Sequence, residues 1–261
     1  MSNPFIIEGP AVVSFSGGRT SGYMLRRILD AHGGSLPDDV HVCFANTGKE
    51  RDETLDFVNE CAIRWSVRVR WLEYRRHFLP VYKSEDRRLS AERARAASGR
   101  IMLAAPRGVR EPGFVEVDYP SASRNGEPFD NLIDAMSLPN VTTRICSSEL
   151  KVRVIKRFMR SLGHSEWFNI VGIRTDEPIR VARMRAPKKE RWENVLPLAE
   201  AGVTKHGHVL PYWQASPFDL QLPLDERGET YGGNCDLCYL KSTGARLRVI
   251  REQPKRAKWW I

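Results

Sequence analysis

The stretch VVSFSGGRTSGYM, residues 12–24, constrains the fold more than any other. An apolar run over residues 11–15 reads as a buried strand. It breaks into Ser-Gly-Gly, and Met24, Leu25, Ile28 and Leu29 then recur at helical spacing until Gly33-Gly34. A strand that passes through glycine-rich sequence into a helix brings main-chain N–H groups and the positive end of a helix dipole to one point. That point favours an anion. Glycine lets the backbone approach it closely, Ser16, Thr20 and Ser21 carry hydroxyl donors, and Arg19 carries charge. The spacing matches neither the G-x-x-x-x-G-K-[ST] phosphate loop nor G-x-G-x-x-G.

The pattern then repeats. VHVCFAN, residues 40–46, reads as a second strand. Leu55, Val58, Cys61, Ala62 and Trp65 mark one face of a helix, and Val67, Val69 and Trp71 alternate with arginines as a third strand. Strand, helix, strand, helix, strand implies right-handed βαβ units and a parallel sheet. Residues 83–107 fit either a basic helix or a loop. Residues 111–139, rich in Pro, Gly, Ser and Asn, are expected to be irregular. Helical periodicity returns at 150–162, WFNIVGI at 167–173 reads as another buried strand, and a last helix is expected over 245–251. The organisation expected is a sheet domain over 1–178 and a C-terminal region over 179–261 that carries C-x-x-C and packs near Cys146.

The form S-G-G-x-x-S after a first strand resembles the PP-loop of the adenine nucleotide alpha hydrolase superfamily. Three further segments resemble its PAPS reductase-like branch: FANTGKERDETLDFV (44–58), TRICSSELKVRVIKRF (143–158) and VGIRTDEPIR (171–180). The resemblance implies an α/β fold, a Rossmann-like parallel sheet with helices on both faces, plus a small cysteine-bearing region. It also implies that ATP or a related adenine nucleotide is held by Ser14, Ser16, Gly17, Gly18, Arg19, Thr20, Ser21, Phe44, Asn46, Thr47, Gly48, Gly172 and Ile173. Lys151, Arg174 and Asp176 are the expected catalytic residues. Many ATP-cleaving members carry Asp before the last Ser of the loop. Thr20 stands there in this chain, which leaves any magnesium to Asp176 or Glu177.

The chain has five cysteines. An odd count, together with an N-terminus that shows no secretory-signal pattern, argues against a disulfide framework. Cys43 and Cys61 lie at core positions. Cys235 and Cys238 form a C-x-x-C, a spacing that lets two thiolates face one centre. In iron–sulfur members of the resembled family, a cysteine pair before the lysine helix joins such a motif to hold a [4Fe-4S] cluster. Cys146 falls at the first of that pair and Ser147 at the second. A cluster on Cys146, Cys235 and Cys238, zinc completed by His206 or His208, and a bare dithiol are the three readings. No cysteine follows Cys238, so a sulfonucleotide reductase of the usual kind would lack its nucleophile unless Cys235 or Cys238 served.

The net charge is +9, and residues 64–110 alone carry 13 Lys and Arg against four Asp and Glu. Such a surplus suits an anionic partner, a nucleic acid among them, or else a solvated surface. The C-terminal KRAKWWI is expected to pack its tryptophans on the core, with base stacking as the alternative. No run approaches the ~20 apolar residues of a membrane span, and a cytoplasmic protein is expected. The functional expectation is ATP-dependent adenylation with pyrophosphate release. Iron–sulfur-assisted sulfur transfer to a nucleic acid or other anionic acceptor, fed by a thiol or sulfur donor, would be coupled to it. The alternatives are a PAPS or APS reductase using an external thiol, and a non-catalytic nucleotide or nucleic-acid binding module.

Overall fold

A computed structural model of the chain describes residues 3–75, 113–136, 138–186, 189–226, 230–231 and 233–260. The expected basic element at 83–107, and most of the 64–110 surplus, lie outside the described residues.

Six strands form one sheet in the order β4-β3-β2-β1-β5-β6. They are β1 (Ala11–Ser14), β2 (Val40–Asn46), β3 (Val69–Tyr74), β4 (Phe114–Val117), β5 (Trp167–Val171) and β6 (Trp192–Val195). All neighbours pair in parallel except β3 with β4, which is antiparallel. This is the α/β, Rossmann-like class that the alternating pattern calls for.

The helices are α1 (Arg19–Ala31), α2 (Asp52–Arg64), α3 (Glu127–Ala135), the single turn α4 (Ile145–Ser147), α5 (Arg153–Ser161), α6 (Pro178–Arg185), α7 (Pro197–Glu200), α8 (Leu210–Ala215), α9 (Thr243–Glu252) and α10 (Pro254–Ala257). A π-type turn, Ser148–Val152, joins α4 to α5, and another, Lys205–Val209, leads into α8.

Side chains alternate across a strand, so successive strand residues enter opposite cores. Val13, Phe15 and Phe44 pack with Met24, Leu25, Leu55, Val58 and Trp213 on one face. Val12, Cys43 and Leu72 pack with Leu132, Val154 and Phe158 on the other. Two hydrophobic faces account for helices on both sides of the sheet.

Two segments differ from expectation. The Pro- and Gly-rich 111–139 stretch contains β4 and α3. Its Phe114 and Phe129 pack into the second core, so tertiary burial overrides weak local signals. The sheet also continues past residue 178, because β6 adds to its edge beside β5. The chain returns to the core once more at its end. Trp259 and Trp260 meet Phe129 edge-on at 5.6 and 5.3 Å, which is the packed arrangement expected of the tail.

From β1 the chain builds outward through β2, β3 and β4, then crosses back to place β5 and β6 on the other side. The order reverses between β1 and β5. Open parallel sheets leave a crevice at such a point, at the carboxyl ends of the strands.

Candidate functional site

The loops that follow β1 and β5 open onto this crevice. They line a polar cavity of about 270 Å³ with Ser16, Gly18, Thr20, Ser21, Gly172 and Arg174, and Arg19, Arg180, Lys205 and Asn234 complete its polar wall. The first N–H groups of α1 have no partner within the helix. The amides of Ser16 and Gly18 are engaged elsewhere: both donate to the Ser21 hydroxyl, at 3.2 and 3.3 Å. The donors left facing the cavity are therefore those of the first turn of α1 and of side chains, rather than of the whole loop.

The charges around this cavity are tethered. Arg19 donates twice to the Asp219 carboxylate at 2.7 Å, so it arrives already paired. Arg174 donates to the Thr20 hydroxyl at 2.9 Å and to Asp176 at 2.8 Å. Asp176 also accepts the Lys205 amide at 2.9 Å. Burial would raise the Asp176 carboxyl, but the Lys205 amide and the Arg174 guanidinium outweigh it and hold it below the ordinary range. Asp176 thus orients Arg174 instead of offering a free base.

A second cavity, about 200 Å³ and largely apolar, lies on the α5 side of β1. Trp167 and Trp192, stacked at 5.5 Å, line it with Ile155, Val171 and Met184. Ser14 and Asn169 add polar atoms and bond each other at 2.8 Å. Lys151 borders this cavity, and Ser16 borders both.

The cysteine loop is stapled across the ends of β1 and β2. Glu50 and Cys235 form an antiparallel bridge. The Arg51 amide donates to the Asn234 carbonyl at 2.8 Å, and the Asp236 amide to the Lys49 carbonyl at 2.8 Å. The buried Glu50 carboxylate accepts the Thr47 amide and hydroxyl, each at 2.7 Å, then Lys151 at 3.1 Å and the Cys235 thiol at 3.4 Å. Burial would raise the Glu50 carboxyl. The Lys151 ammonium and the two Thr47 donors outweigh that and hold it down. Lys151 also stands 3.7 Å from Cys235 Sγ. Burial raises the Cys235 thiol in spite of that ammonium. Cys146 meets the Tyr239 hydroxyl at 3.3 Å.

The residues expected to hold a nucleotide divide sharply. Ser16, Gly18, Arg19, Thr20, Ser21 and Gly172 line the polar cavity and Ser14 the apolar one, while of the expected catalytic residues Arg174 lines the polar cavity, Lys151 the apolar one and Asp176 neither. Phe44, Asn46, Thr47, Gly48 and Ile173 line neither. Phe44 lies in the core against Trp71. Asn46, fully buried, donates to Glu73 at 2.6 Å and to the Ser123 carbonyl at 2.9 Å. Thr47 serves Glu50, and Ile173 is sealed. Gly17 is structural as well. It adopts φ +72°, and a Cβ there would stand 2.6 Å from Thr54 Cγ2.

Four residues of the site escaped the sequence reading: Glu50, Asn234, Arg180 and Lys205. Only Glu50 had a local signal, the Thr47-x-x-Glu50 spacing of a reciprocal cap.

Cys43 and Cys61 are core residues, and burial raises both thiols. The other three cysteines gather around Lys151 and Tyr239. Among the described residues, no three His, Cys, Asp or Glu side chains share a point where one ion reaches them all. His206 and His208 sit on the Lys205–Val209 turn, where His208 Nδ1 meets the Thr204 amide at 3.2 Å, and join no such group. In kind, the donors suit a thiolate-bound centre. Beside the cysteine loop lies the Arg51 guanidinium, 1% exposed, with Nε and Nη1 unpartnered. Buried cations of this kind call for anionic charge nearby.

No protein-family model matches the chain. An uncharacterized nin region protein, ORF290, of Escherichia phage lambda is 29% identical over 235 residues, 89% of this chain and 66% of that protein. The chain therefore spans just under two thirds of the length of that relative. Among solved structures, the phosphate complex of phosphoadenylyl-sulfate (PAPS) reductase from Candida auris aligns over 81% of this chain and 75% of its own, with 14% identity and a TM-score of 0.39. No described helix is long and apolar enough to cross a membrane.

Proposed function

We propose that the chain is an enzyme that binds an adenine nucleotide across the two cavities, base in the apolar one and phosphates in the polar one. The observation that carries this reading is their meeting at Ser16: a Trp-lined apolar seat adjoins a seat lined by Arg174, Arg180 and Lys205. One molecule with a flat apolar end and an anionic end satisfies both. Their volumes, about 200 and 270 Å³, suit a nucleotide divided between them.

The reaction that fits is adenylation. An acceptor oxygen attacks the α-phosphorus of ATP, the bond to the β-phosphate oxygen breaks, and pyrophosphate leaves. Arg174, Arg180, Lys205 and the first turn of α1 stabilise the charge that builds on the leaving group. Arg174 is preset by Thr20 and Asp176, which limits reorganisation during the step. Magnesium would fall to Asp176 or Glu177, both already paired with Arg174.

Cys146, Cys235 and Cys238 would hold a [4Fe-4S] centre, with zinc as the alternative. Such a centre would supply a soft site for sulfur. Sulfide released by a sulfur donor would then attack the activated carbon of the acceptor, a nucleic acid or other anion, so that a C–S bond forms as the C–O bond breaks and AMP leaves. A second reading, sulfonucleotide reduction with an external thiol, draws on the position of Cys235 beside Lys151.

Calorimetry with ATP and with pyrophosphate tests the binding step. Arg174→Ala is expected to weaken both about tenfold, a ~1.4 kcal/mol loss. Ile155→Trp, which fills the apolar cavity, is expected to weaken ATP and spare pyrophosphate. ATP affinity unchanged in both variants would refute the reading. Release of pyrophosphate from ATP or of sulfite from PAPS separates the two reactions, and binding without turnover marks a non-catalytic module.

A further inference from the structure

Asn234 belongs to two structures at once. Its side chain lines the polar cavity and donates from Nδ2 to the Ser16 carbonyl at 3.0 Å. Its own carbonyl accepts the Arg51 amide at 2.8 Å, and the next residue is Cys235. The adjoining rung, Asp236 amide to Lys49 carbonyl at 2.8 Å, continues the same staple. A Cβ on Gly18 would lie 3.4 Å from Asn234 Nδ2, so this side chain stands directly beside Gly18. The residue that leads into C-x-x-C thus forms part of the cavity wall, and its side chain makes the joint.

A ligand seated against this wall of the cavity meets the Asn234 side chain. That contact changes the freedom of the backbone that presents Cys235. We propose that Asn234 couples the two sites: an anion bound among Thr20, Arg174 and Lys205 tightens the Cys235–Cys238 loop onto the Lys49–Arg51 backbone. The coupling is reciprocal by thermodynamic necessity, so whatever occupies the thiols changes anion affinity by the same factor. This deepens the nucleotide reading and rests on it, because it supplies the regulation of that site. Asn234 is a positioning residue here. It tells the sulfur chemistry whether the activating nucleotide is in place.

Amide hydrogen exchange, followed by peptide mass spectrometry with and without inorganic pyrophosphate, tests the coupling on the intact protein. In the unmodified chain, pyrophosphate is expected to slow exchange several-fold in two peptides, one spanning residues 14–22 and one spanning 234–238. In Asn234→Ala it is expected to slow only the first. Asn234→Ser, too short to reach Ser16, gives the same result and serves where the alanine variant folds poorly. Protection of 14–22 without protection of 234–238 in the unmodified chain overturns the coupling and leaves the anion site standing. Persistence of both effects in Asn234→Ala and Asn234→Ser overturns the role of Asn234. No response at 14–22 overturns the anion site and the coupling together.

Discussion

Lys151 places its ammonium 3.1 Å from the Glu50 carboxylate, a group whose side chain has no exposure at all. The two residues are 101 positions apart. Their pairing fastens the segment after β2 to the turn before α5, and Cys235 sits against both partners. A buried carboxylate with four donors is stable only while all of them are present.

Glu50→Gln is therefore expected to destabilise the fold by about 2 kcal/mol. That is below the ~3–5 kcal/mol of a fully buried broken pair, since Lys151 keeps some access to water. The loss is read as a drop in the urea midpoint. It carries a pH signature. The folded-state carboxyl lies below its ordinary value of 4.5, so its contribution is complete above about pH 4.5 and disappears as pH falls through the folded value. The gap between the two proteins should be widest near pH 6 and narrow below pH 4.5. A gap constant down to pH 3 would mean that the carboxylate charge plays no part.

The loop glycines separate fold from binding. Gly17→Ala meets a left-handed φ and three close side chains from Thr54, Val58 and Phe44. A loss of ~1–3 kcal/mol in thermal unfolding is expected. Gly18, at φ −103°, accepts a side chain in conformation, and its Cβ would point toward Asn234 at the cavity mouth. Gly18→Ala should unfold within about 0.5 kcal/mol of the parent while binding pyrophosphate more weakly. If Gly17→Ala proves the milder change for stability, the Thr54, Val58 and Phe44 side chains do not confine this turn.

Local pattern made the central sheet legible. The buried runs at 11–15, 40–46 and 167–173 and the helical spacing after residue 20 are strong, short-range signals, and β1, β2, β5 and α1 form there. The place of Thr20 and Ser21 on the wall of a polar cavity was legible for the same reason. Three things were not. Phe44, Asn46 and Thr47 are at the strand end where ligands bind, yet which of them faces the crevice depends on partners far away, such as Glu73 and Ser123. Asn234 is near Ser16 only because the C-terminal region folds back 218 residues later. Glu50 was visible as a spacing to Thr47, but its importance comes from Lys151 and Cys235.

The cysteines lead to a metal prediction. Protein purified without oxygen is expected to carry iron and sulfide and to absorb broadly near ~400 nm. Cys146→Ser, Cys235→Ser and Cys238→Ser should each lower the iron content, whereas Cys61→Ser, at a core position, should leave the iron-to-protein ratio unchanged. Stoichiometric zinc in colourless protein would shift the assignment to zinc. Metal-free protein under both preparations would remove the centre altogether.

The C-terminal turn holds the cysteine loop from its other side, which gives the last test. Arg256 donates to both oxygens of the buried Asp236, at 3.0 and 3.2 Å. Lys49 stands 3.9 Å from the same carboxylate and lies over the Trp259 ring at 4.4 Å. Burial raises the Asp236 carboxyl even with both cations beside it, so this charge tolerates little loss of compensation. Arg256→Ala should cost about 2 kcal/mol in the urea midpoint, because it leaves a buried carboxylate with only the weaker support of Lys49 and Arg51. Asp236→Asn in the Arg256→Ala background should recover part of that loss, since the unpaired charge is gone. A double-mutant cycle reads the coupling directly, with ~1 kcal/mol or more expected between the two positions. Additive effects would mean that Arg256 acts on the cysteine loop through packing alone.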